Sequence, residues 1–420
     1  MENPIILLFK FDLRISDNPA LYNASLLNKP ILPVFIFDET NKDARKLGRA
    51  SKWWLFHSLK SLSAQLKNYN SRLLLYCGNT EDLLNKLIKS SSAETVMWNR
   101  SYEAWQINRD TQLKQNLKKR GLIVKSFKSN LIYEPWTIKS KMGNPLKVFT
   151  PYKNALLIKG PLPVPLGTPN KILSPNTWPD SLEIDSLGLL DQKSWTKKLK
   201  EWEVGNKSAI NKLKNFIQET IDNYKINRDI PSKSGTSKLS PHLRFGEISP
   251  IQVLNIMNFS VSEKNASSFE TFQSEIIWRE FAHNLMWQFP KISTHPIKQE
   301  FENMSWVNNE KHFLKWKKGL TGYPIVDAGM RELWNTGWMH NRVRMITASF
   351  LTKHLLLPWQ LGEKWFWDTL VDADPASNSA SWQWVAGCGA DAAPFFRIFN
   401  PILQGEKFDP DGEYIKKYIP

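Results

Sequence analysis

Five short runs rich in Ile, Val, Leu and Phe, at 5–11, 31–37, 73–77, 95–98 and 123–127, constrain the first third of this chain more than any other feature. Between them, 51–68, 81–90 and 103–120 carry apolar residues at helical spacing, and Gly121 suits a helix C-cap. Strands separated by helices cannot pair as hairpins, so the pattern predicts a parallel sheet with helices on both faces. Only Gly48, Gly78 and Gly121 occur in the first 130 residues, and no G-x-G-x-x-G turn is present. A dinucleotide held at the first strand–helix turn is therefore disfavoured.

The remainder reads differently. Nine of the 25 prolines fall between Pro135 and Pro179, which suits an ordered connector laid across a surface. Beyond about Trp202 the strand signals stop, and helical patterns run to Trp384 with short breaks at 231–234, 290–295 and 319–324. At 420 residues the chain is too long for one ordinary core. The expected organisation is a Rossmann-like α/β domain over 1–130, a Pro-rich connector over 131–201 and an all-α domain over 202–420.

Composition narrows the class. No run of 18 apolar residues occurs, so a membrane-spanning helix is not expected. Met1-Glu2-Asn3-Pro4 lacks the cationic region that opens a secretory signal. Cys77 and Cys388, the only two cysteines, cannot build a disulfide framework, a four-ligand zinc site or a four-cysteine cluster. The expectation is a cytoplasmic protein without a bound metal, monomeric by default. Net charge is +16, of which +12 lies in the first 150 residues. That balance suggests a polyanionic partner, although a Lys-rich surface also serves solvation. Arginine is scarce, at 14 against 42 Lys, and where a Lys-biased chain still uses Arg its fork geometry is needed. Five of the seven arginines after residue 150 fall in the segments described next. Eleven of 19 tryptophans lie between Trp278 and Trp384. Most belong to packing, yet so much indole in a helical region suggests flat ligands or electron transfer.

Hydrolytic templates are missing: no G-x-S-x-G, no H-E-x-x-H and no G-x-x-x-x-G-K-[ST]. Four other constellations stand out. Thr236-Ser237-Lys238-Leu239-Ser240, followed by Pro241-His242-Leu243-Arg244-Phe245-Gly246, is a hydroxyl-rich turn opening a helix, suited to an anion or to simple N-capping. Glu275 and Arg279, four apart with Trp278 beside them, make either a surface ion pair or the floor of a planar-ligand site. Gly322-Tyr323-Pro324-Ile325-Val326-Asp327 leads to Trp338-Met339-His340-Asn341-Arg342-Val343-Arg344-Met345, where Asn341, Arg344 and Met345 share one side of a helix. Asp372-Ala373-Asp374, with Asn378, Trp382 and Trp384, closes on Phe395-Phe396-Arg397-Ile398-Phe399-Asn400-Pro401. At a helix terminus one of these acids can neutralise a buried arginine while the other accepts from a ligand.

All four segments, in this order and at these separations, resemble the photolyase/cryptochrome family, as do Phe11-Asp12-Leu13-Arg14-Ile15-Ser16-Asp17-Asn18 and Val148-Phe149-Thr150-Pro151-Tyr152. The resemblance covers essentially the whole chain, which ends at Pro420, several tens of residues before family members usually do. It implies an antenna-type α/β domain and a helical domain holding FAD in a folded form. Matched by motif, Tyr224, Thr236, Ser237, Lys238, Leu239 and Ser240 would hold the phosphates and ribityl chain. Arg344 and Asp372 would sit beside the flavin ring, with Ala373 and Asp374 near its polar edge. Asn378 would face flavin N5, and Phe272 would line the cavity or stack on adenine. Arg279 and Asn341 complete the implied cofactor set. Trp382, Trp359 and Trp306 match an electron-transfer chain from flavin to surface.

For DNA, the resemblance implies a cavity for a flipped lesion formed by Glu275, Trp278, Asn341, Met345 and Trp384. Arg228, Arg279, Arg342 and Arg397 match its phosphate-contacting rim. Glu275 would hydrogen-bond the lesion. Members acting on (6-4) photoproducts carry His at the positions matching Asn341 and Met345, so the implied substrate in UV-damaged DNA is the cyclobutane pyrimidine dimer. Plant cryptochromes tend to carry Asp, and animal ones Cys, where this chain has Asn378, which favours light-dependent repair with reduced FAD. The alternatives are a blue-light-sensing cryptochrome, a DASH-type member restricted to single strands, and an electron-transferring flavoprotein without DNA. Trp105-Gln106 stands where folate-binding members show Asn-Glu. A deazaflavin, a differently placed folate or no antenna chromophore therefore all remain open.

Overall fold

The computed structural model describes residues 3–190, 195–391 and 397–420. Its first part alternates as the sequence predicts: β1 (Ile5–Phe9), α1 (Pro19–Ser25), β2 (Ile31–Phe37), α2 (Arg49–Lys67), β3 (Leu74–Cys77), α3 (Thr80–Ser91), β4 (Thr95–Asn99), α4 (Ala104–Lys119) and β5 (Ile123–Phe127). The strands form one sheet in the order β3-β2-β1-β4-β5, and every pairing is parallel. Alternation along β1 explains why all five of its residues are buried. Ile5, Leu7 and Phe9 enter a core with α1 and α2, whereas Ile6 and Leu8 enter a second core under α3 and α4. Helix α1 was not expected. It is seven residues long, too short for a periodic signal, and rests on the Asn18 side chain capping Leu21 N with Pro19 at its first turn.

The proline-rich stretch is not merely a strap. Within it lies α5 (Phe149–Ile158), whose Tyr152 and Leu156 are buried. Helices follow: α6 (Asn206–Asn215), α7 (Tyr224–Asn227), α8 (Ser240–Arg244), α9 (Pro250–Asn258), α10 (Ala266–Gln288), α11 (Glu310–Lys318), α12 (Pro324–Thr336), α13 (Asn341–Ser349), α14 (Trp359–Thr369), α15 (Pro375–Ala386), α16 (Pro401–Phe408) and α17 (Glu413–Tyr418). The long α10 packs along α15, and α13 and α14 close against α15 in turn.

Two joints tie the α/β part to the helices. Arg14, fully buried, donates to Asp17 O, Gly246 O, Ser129 Oγ and Asn130 Oδ1 at 2.7–2.9 Å, so no guanidinium edge is left dry. Gly246 has φ +64°, and a Cβ there would lie 2.2 Å from Phe11 O. Only glycine permits that approach. The Asp-Leu-Arg motif near the N-terminus thus welds two parts of the fold. At the second joint the loop before α2 presses on α14, where a Cβ on Gly48 would lie 2.1 Å from Trp367 O.

Candidate functional site

The turn 236–239 leads into α8, with Lys238 at φ +50°. Helix α8 spans five residues and has no side-chain N-cap, so its turn, not a helix dipole, is what can meet an anion. Leu239 is buried with Tyr224 and Phe272 in one apolar cluster, where Phe272 lies 5.5 Å from Tyr224 and 4.9 Å from Phe216, ring to ring. Phe272 is thereby placed among core side chains. From the exposed side of the turn, Ser240 Oγ donates to Asp372 Oδ2 at 2.6 Å.

Asp372 and Asp374 flank the start of α15 and divide their work. Arg344 Nη2 donates to Asp372 Oδ2 at 2.8 Å, while Asp372 Oδ1 is buried with no partner among the described residues. Asp374 Oδ1 caps α15 by accepting from Ala376 N and Ser377 N. Its other oxygen lies 3.4 Å from His283 Nε2. Burial alone pushes the Asp374 carboxyl upward, but His283, Arg244 and Arg279 outweigh it and hold the group well below the usual carboxylate range. Burial pushes His283 down, toward its neutral form. The arginines are therefore the durable counter-charges. Arg244 also donates through Nε to Ala373 O at 2.8 Å.

Asn378, on α15 and buried, donates through Nδ2 to the Glu363 carbonyl at 3.1 Å and to Glu363 Oε1 at 2.8 Å. Both amide hydrogens are used, so Oδ1 is presented away from Glu363 as an acceptor. An orphaned carboxylate oxygen with an arginine beside it and, separately, this amide oxygen are polar groups that a hydrogen-bonding planar ligand satisfies. The residues fit a flavin.

A second group lies on the outer side of α10. Glu275 pairs with Arg228 at 2.8 Å rather than with Arg279 as its spacing suggested. Burial raises the Glu275 carboxyl, and Arg228 opposes that rise. Trp278 is 41% exposed and stacks on Phe149 with ring centroids 3.6 Å apart. Arg342 pairs with Asp229 at 2.8 Å and lies 4.4 Å over the Phe408 ring. Asn341 is exposed, Met345 is partly buried beside Arg342, and Arg397 is exposed over Trp384 at 5.6 Å. Arg279 is the correction. Its side chain is only 12% exposed and donates to Asn130 O at 2.8 Å, so it faces the inter-part interior and not an outer rim. Its neighbour there, Asp374, held ionised, supplies negative charge to it. Phe395 and Phe396 lie outside the described residues.

Trp382 and Trp359 are buried in one apolar cluster, and Trp306 is half-buried at its edge. Trp382 lies 5.0 Å from Phe366 and 6.2 Å from Trp316, edge to face. Gly362 sits directly under it, where a Cβ would be 2.1 Å from the indole.

Between the two parts of the molecule runs a cleft lined by Phe35, Phe37, Trp105, Gln106, Arg109 and Trp367. A more polar recess shares Lys10, Glu103 and Arg244 with it and reaches Arg279, His283 and Asp374. Arg244, His283 and Glu363 were not singled out from the sequence. Arg244 stands inside a quoted motif, and His283 follows Arg279 by one helical turn. Nothing in the sequence marks Glu363.

A helical site built around an Arg–Asp pair, joined to a parallel α/β sheet, defines a class of flavoprotein. Residues 272–420 match the FAD-binding domain of DNA photolyase, and residues 5–170 match DNA photolyase itself. Deoxyribodipyrimidine photo-lyase of Agrobacterium fabrum is 47% identical over 99% of this chain and 87% of its own length. A class III photolyase structure from Agrobacterium tumefaciens superimposes with TM-score 0.95 at 46% identity, covering 100% of this chain and 87% of that one. Cryptochrome-1 of Arabidopsis thaliana is 35% identical over 99% of this chain and 62% of its own length. The chain belongs to the photolyase/cryptochrome family, and FAD is its cofactor.

Proposed function

We propose that this protein is a DNA photolyase that splits cyclobutane pyrimidine dimers in UV-damaged DNA under blue light. The observation that carries this reading is Glu275: a half-buried carboxyl, paired with Arg228, beside an exposed indole on the helix that also packs along α15. Relatives named deoxyribodipyrimidine photo-lyase support it at 35–47% identity. Arg344, Asp372, Asp374 and Asn378 would hold FAD, with the 236–240 turn and Tyr224 toward its phosphates. When bound and reduced, FAD would supply light-driven electron donation to the dimer and accept the electron back, so splitting involves no net redox change. Everything else falls to the chain. Extruding a base pair step costs a few kcal/mol, and stacking on aromatics such as Trp278 and Trp384 returns roughly 1–3 kcal/mol per base. A dimer is already poorly paired, which lowers the cost. Arg228, Arg342 and Arg397 would steer the phosphates, and Glu275 would hydrogen-bond the dimer. The reading is completed by a cytoplasmic monomer that needs no metal. No helix among the described residues is long and apolar enough to cross a membrane.

Light-minus-dark repair of an oligonucleotide carrying one thymine dimer, followed by chromatography, tests the proposal. Product should form only under blue light and with reduced protein. A protein with bound, reducible FAD and no product would instead be a light sensor. Comparing duplex with single-stranded substrate identifies a DASH-type preference.

Trp382, Trp359 and Trp306 would carry electrons inward from solvent to reduce the oxidised cofactor. Trp382→Phe should slow photoreduction by an external thiol at least about tenfold, because one step of the chain is lost. Repair by chemically reduced protein should be untouched, and parallel loss of both would reject the ladder. The cleft at Trp105 would take an antenna chromophore, since aromatic walls with Arg109 suit either a folate or a deazaflavin. A Sulfolobus tokodaii photolyase structure, 30% identical with TM-score 0.85 over 99% of this chain and 90% of that one, holds two FAD molecules, described as implying a novel light-harvesting cofactor.

A further inference from the structure

We infer that Arg45 is a positioning residue for Asn378, acting through Glu363, so that the loop before α2 in the α/β part fixes the orientation of the flavin-facing amide. Arg45 donates to both oxygens of Glu363, Nη1 to Oε1 at 2.5 Å and Nη2 to Oε2 at 2.7 Å. The two residues are 318 positions apart in the chain. Glu363 is 2% exposed in its side chain, so this guanidinium is what neutralises it. A buried carboxylate stripped of its cation is strongly disfavoured.

Geometry carries the consequence to Asn378. Its two amide hydrogens go to the Glu363 carbonyl and to Glu363 Oε1, the same oxygen that Arg45 grips at 2.5 Å. Flipping the amide would set Oδ1 against two acceptors and turn the NH2 into the pocket. With Oε1 pinned, one orientation is left, and it offers an acceptor to the cavity. Without Arg45 the carboxylate keeps only Ser379 Oγ at 3.4 Å and the amide itself, so one of the two contacts that distinguish the ends of the amide is loosened.

Arg45 is itself held. Its guanidinium stacks 4.1 Å over the Trp367 ring, and Trp367 Nε1 donates to Lys46 O at 2.8 Å. Gly48 allows the loop to touch the α14 backbone, and Arg49 closes the far side by donating to the Asp368 carboxylate. Arg49 makes a comparable cross-joint contact without touching Glu363, which provides the control. A residue that merely clamps the two parts together would act like Arg49. One that positions Asn378 would not.

The inference rests on the reading of Asn378 as flavin-facing, and the test separates the two. Holoprotein without DNA is reduced anaerobically, mixed with air-saturated buffer in the dark, and followed by recovery of the oxidised-flavin absorbance. O2 is the oxidant in that assay. Asn378→Ala and Arg45→Met should both reoxidise about tenfold faster than wild type, the scale on which outer partners of a site act. Arg45→Lys keeps the charge but cannot grip both oxygens, and should fall between. Arg49→Met should stay within about twofold, as for an exposed pair. Fast Asn378→Ala with wild-type kinetics in Arg45→Met overturns the role of Arg45 alone. Wild-type kinetics in Asn378→Ala overturns the flavin-facing reading as well. Equal acceleration in Arg49→Met and Arg45→Met reduces Arg45 to a clamp and also overturns it. If Arg45→Met retains no FAD, Arg45→Lys decides: wild-type kinetics with full FAD overturns the proposal, and faster reoxidation supports it.

Discussion

Glu275→Ala is expected to reduce light-driven dimer splitting about tenfold to a hundredfold while leaving the FAD-to-protein ratio unchanged. The range follows from the roughly 1.5–3 kcal/mol carried by hydrogen bonds that involve a charged group. The ion partner of Glu275 is Arg228, at 2.8 Å, and not one of Arg344, Asp372 or Asn378. Truncation therefore leaves Arg228 without its carboxylate, while Arg228 keeps its place over the Tyr224 ring at 5.6 Å. Burial raises the carboxyl and Arg228 counters the rise. Glu275→Gln keeps a donor but no charge. It should retain more repair than Glu275→Ala if donation to the dimer is the function, and no more if the ion pair is what matters. Yield per absorbed photon, measured at saturating and at limiting dimer, separates splitting from binding. An unchanged yield in Glu275→Ala with full FAD would remove Glu275 from the mechanism.

How much of this was legible in the sequence depends on the distance over which each feature is determined. The strands follow from local runs of branched and aromatic residues, buried on both faces in β1, β2 and β4, and β2 and β5 fall where 31–37 and 123–127 predict them. Helix α1 escaped because seven residues give barely two turns, and its one signal, Asn18 before Pro19, looks like any turn. The Arg344–Asp372 pair was expected only through resemblance, and the structure brings the two together at 2.8 Å. Spacing misled at Glu275. Arg279 lies one helical turn away on the same face, yet it turns inward to Asn130 O, and Glu275 takes Arg228 from another helix end. Propensity for an i,i+4 pair is worth only a few tenths of a kcal/mol, so any buried acceptor outbids it. Arg45 and Glu363 had no local signal at all. Contacts across a joint between two parts of a fold are set by the joint's shape, which no window of sequence contains.

The same interior that draws in Arg279 also holds Glu280, and this gives the fold a measurable pH dependence. Glu280 Oε2 accepts from Ile132 N at 2.8 Å and from Tyr133 N at 3.4 Å, while Oε1 is buried without a hydrogen-bond partner, 3.5 Å from Arg279 Nη1. Burial pushes the carboxyl from 4.5 to about 7, with Arg279 and the two backbone amides pulling the other way. Between those values the folded protein keeps a proton that the unfolded chain has released. Stability from this group is therefore complete below 4.5 and is lost as pH rises toward 7. At about 1.36 kcal/mol per pH unit the loss amounts to about 3 kcal/mol. Glu280→Gln imitates the protonated acid, because its amide oxygen still accepts from Ile132 N and no ionisation follows. The variant should match wild type near pH 5 and exceed it by about 3 kcal/mol at pH 8, read as a thermal or urea midpoint gap that opens with pH. A gap of constant size across that range would mean that Glu280 is already ionised in the folded protein near pH 5, with Arg279 rather than burial setting its charge.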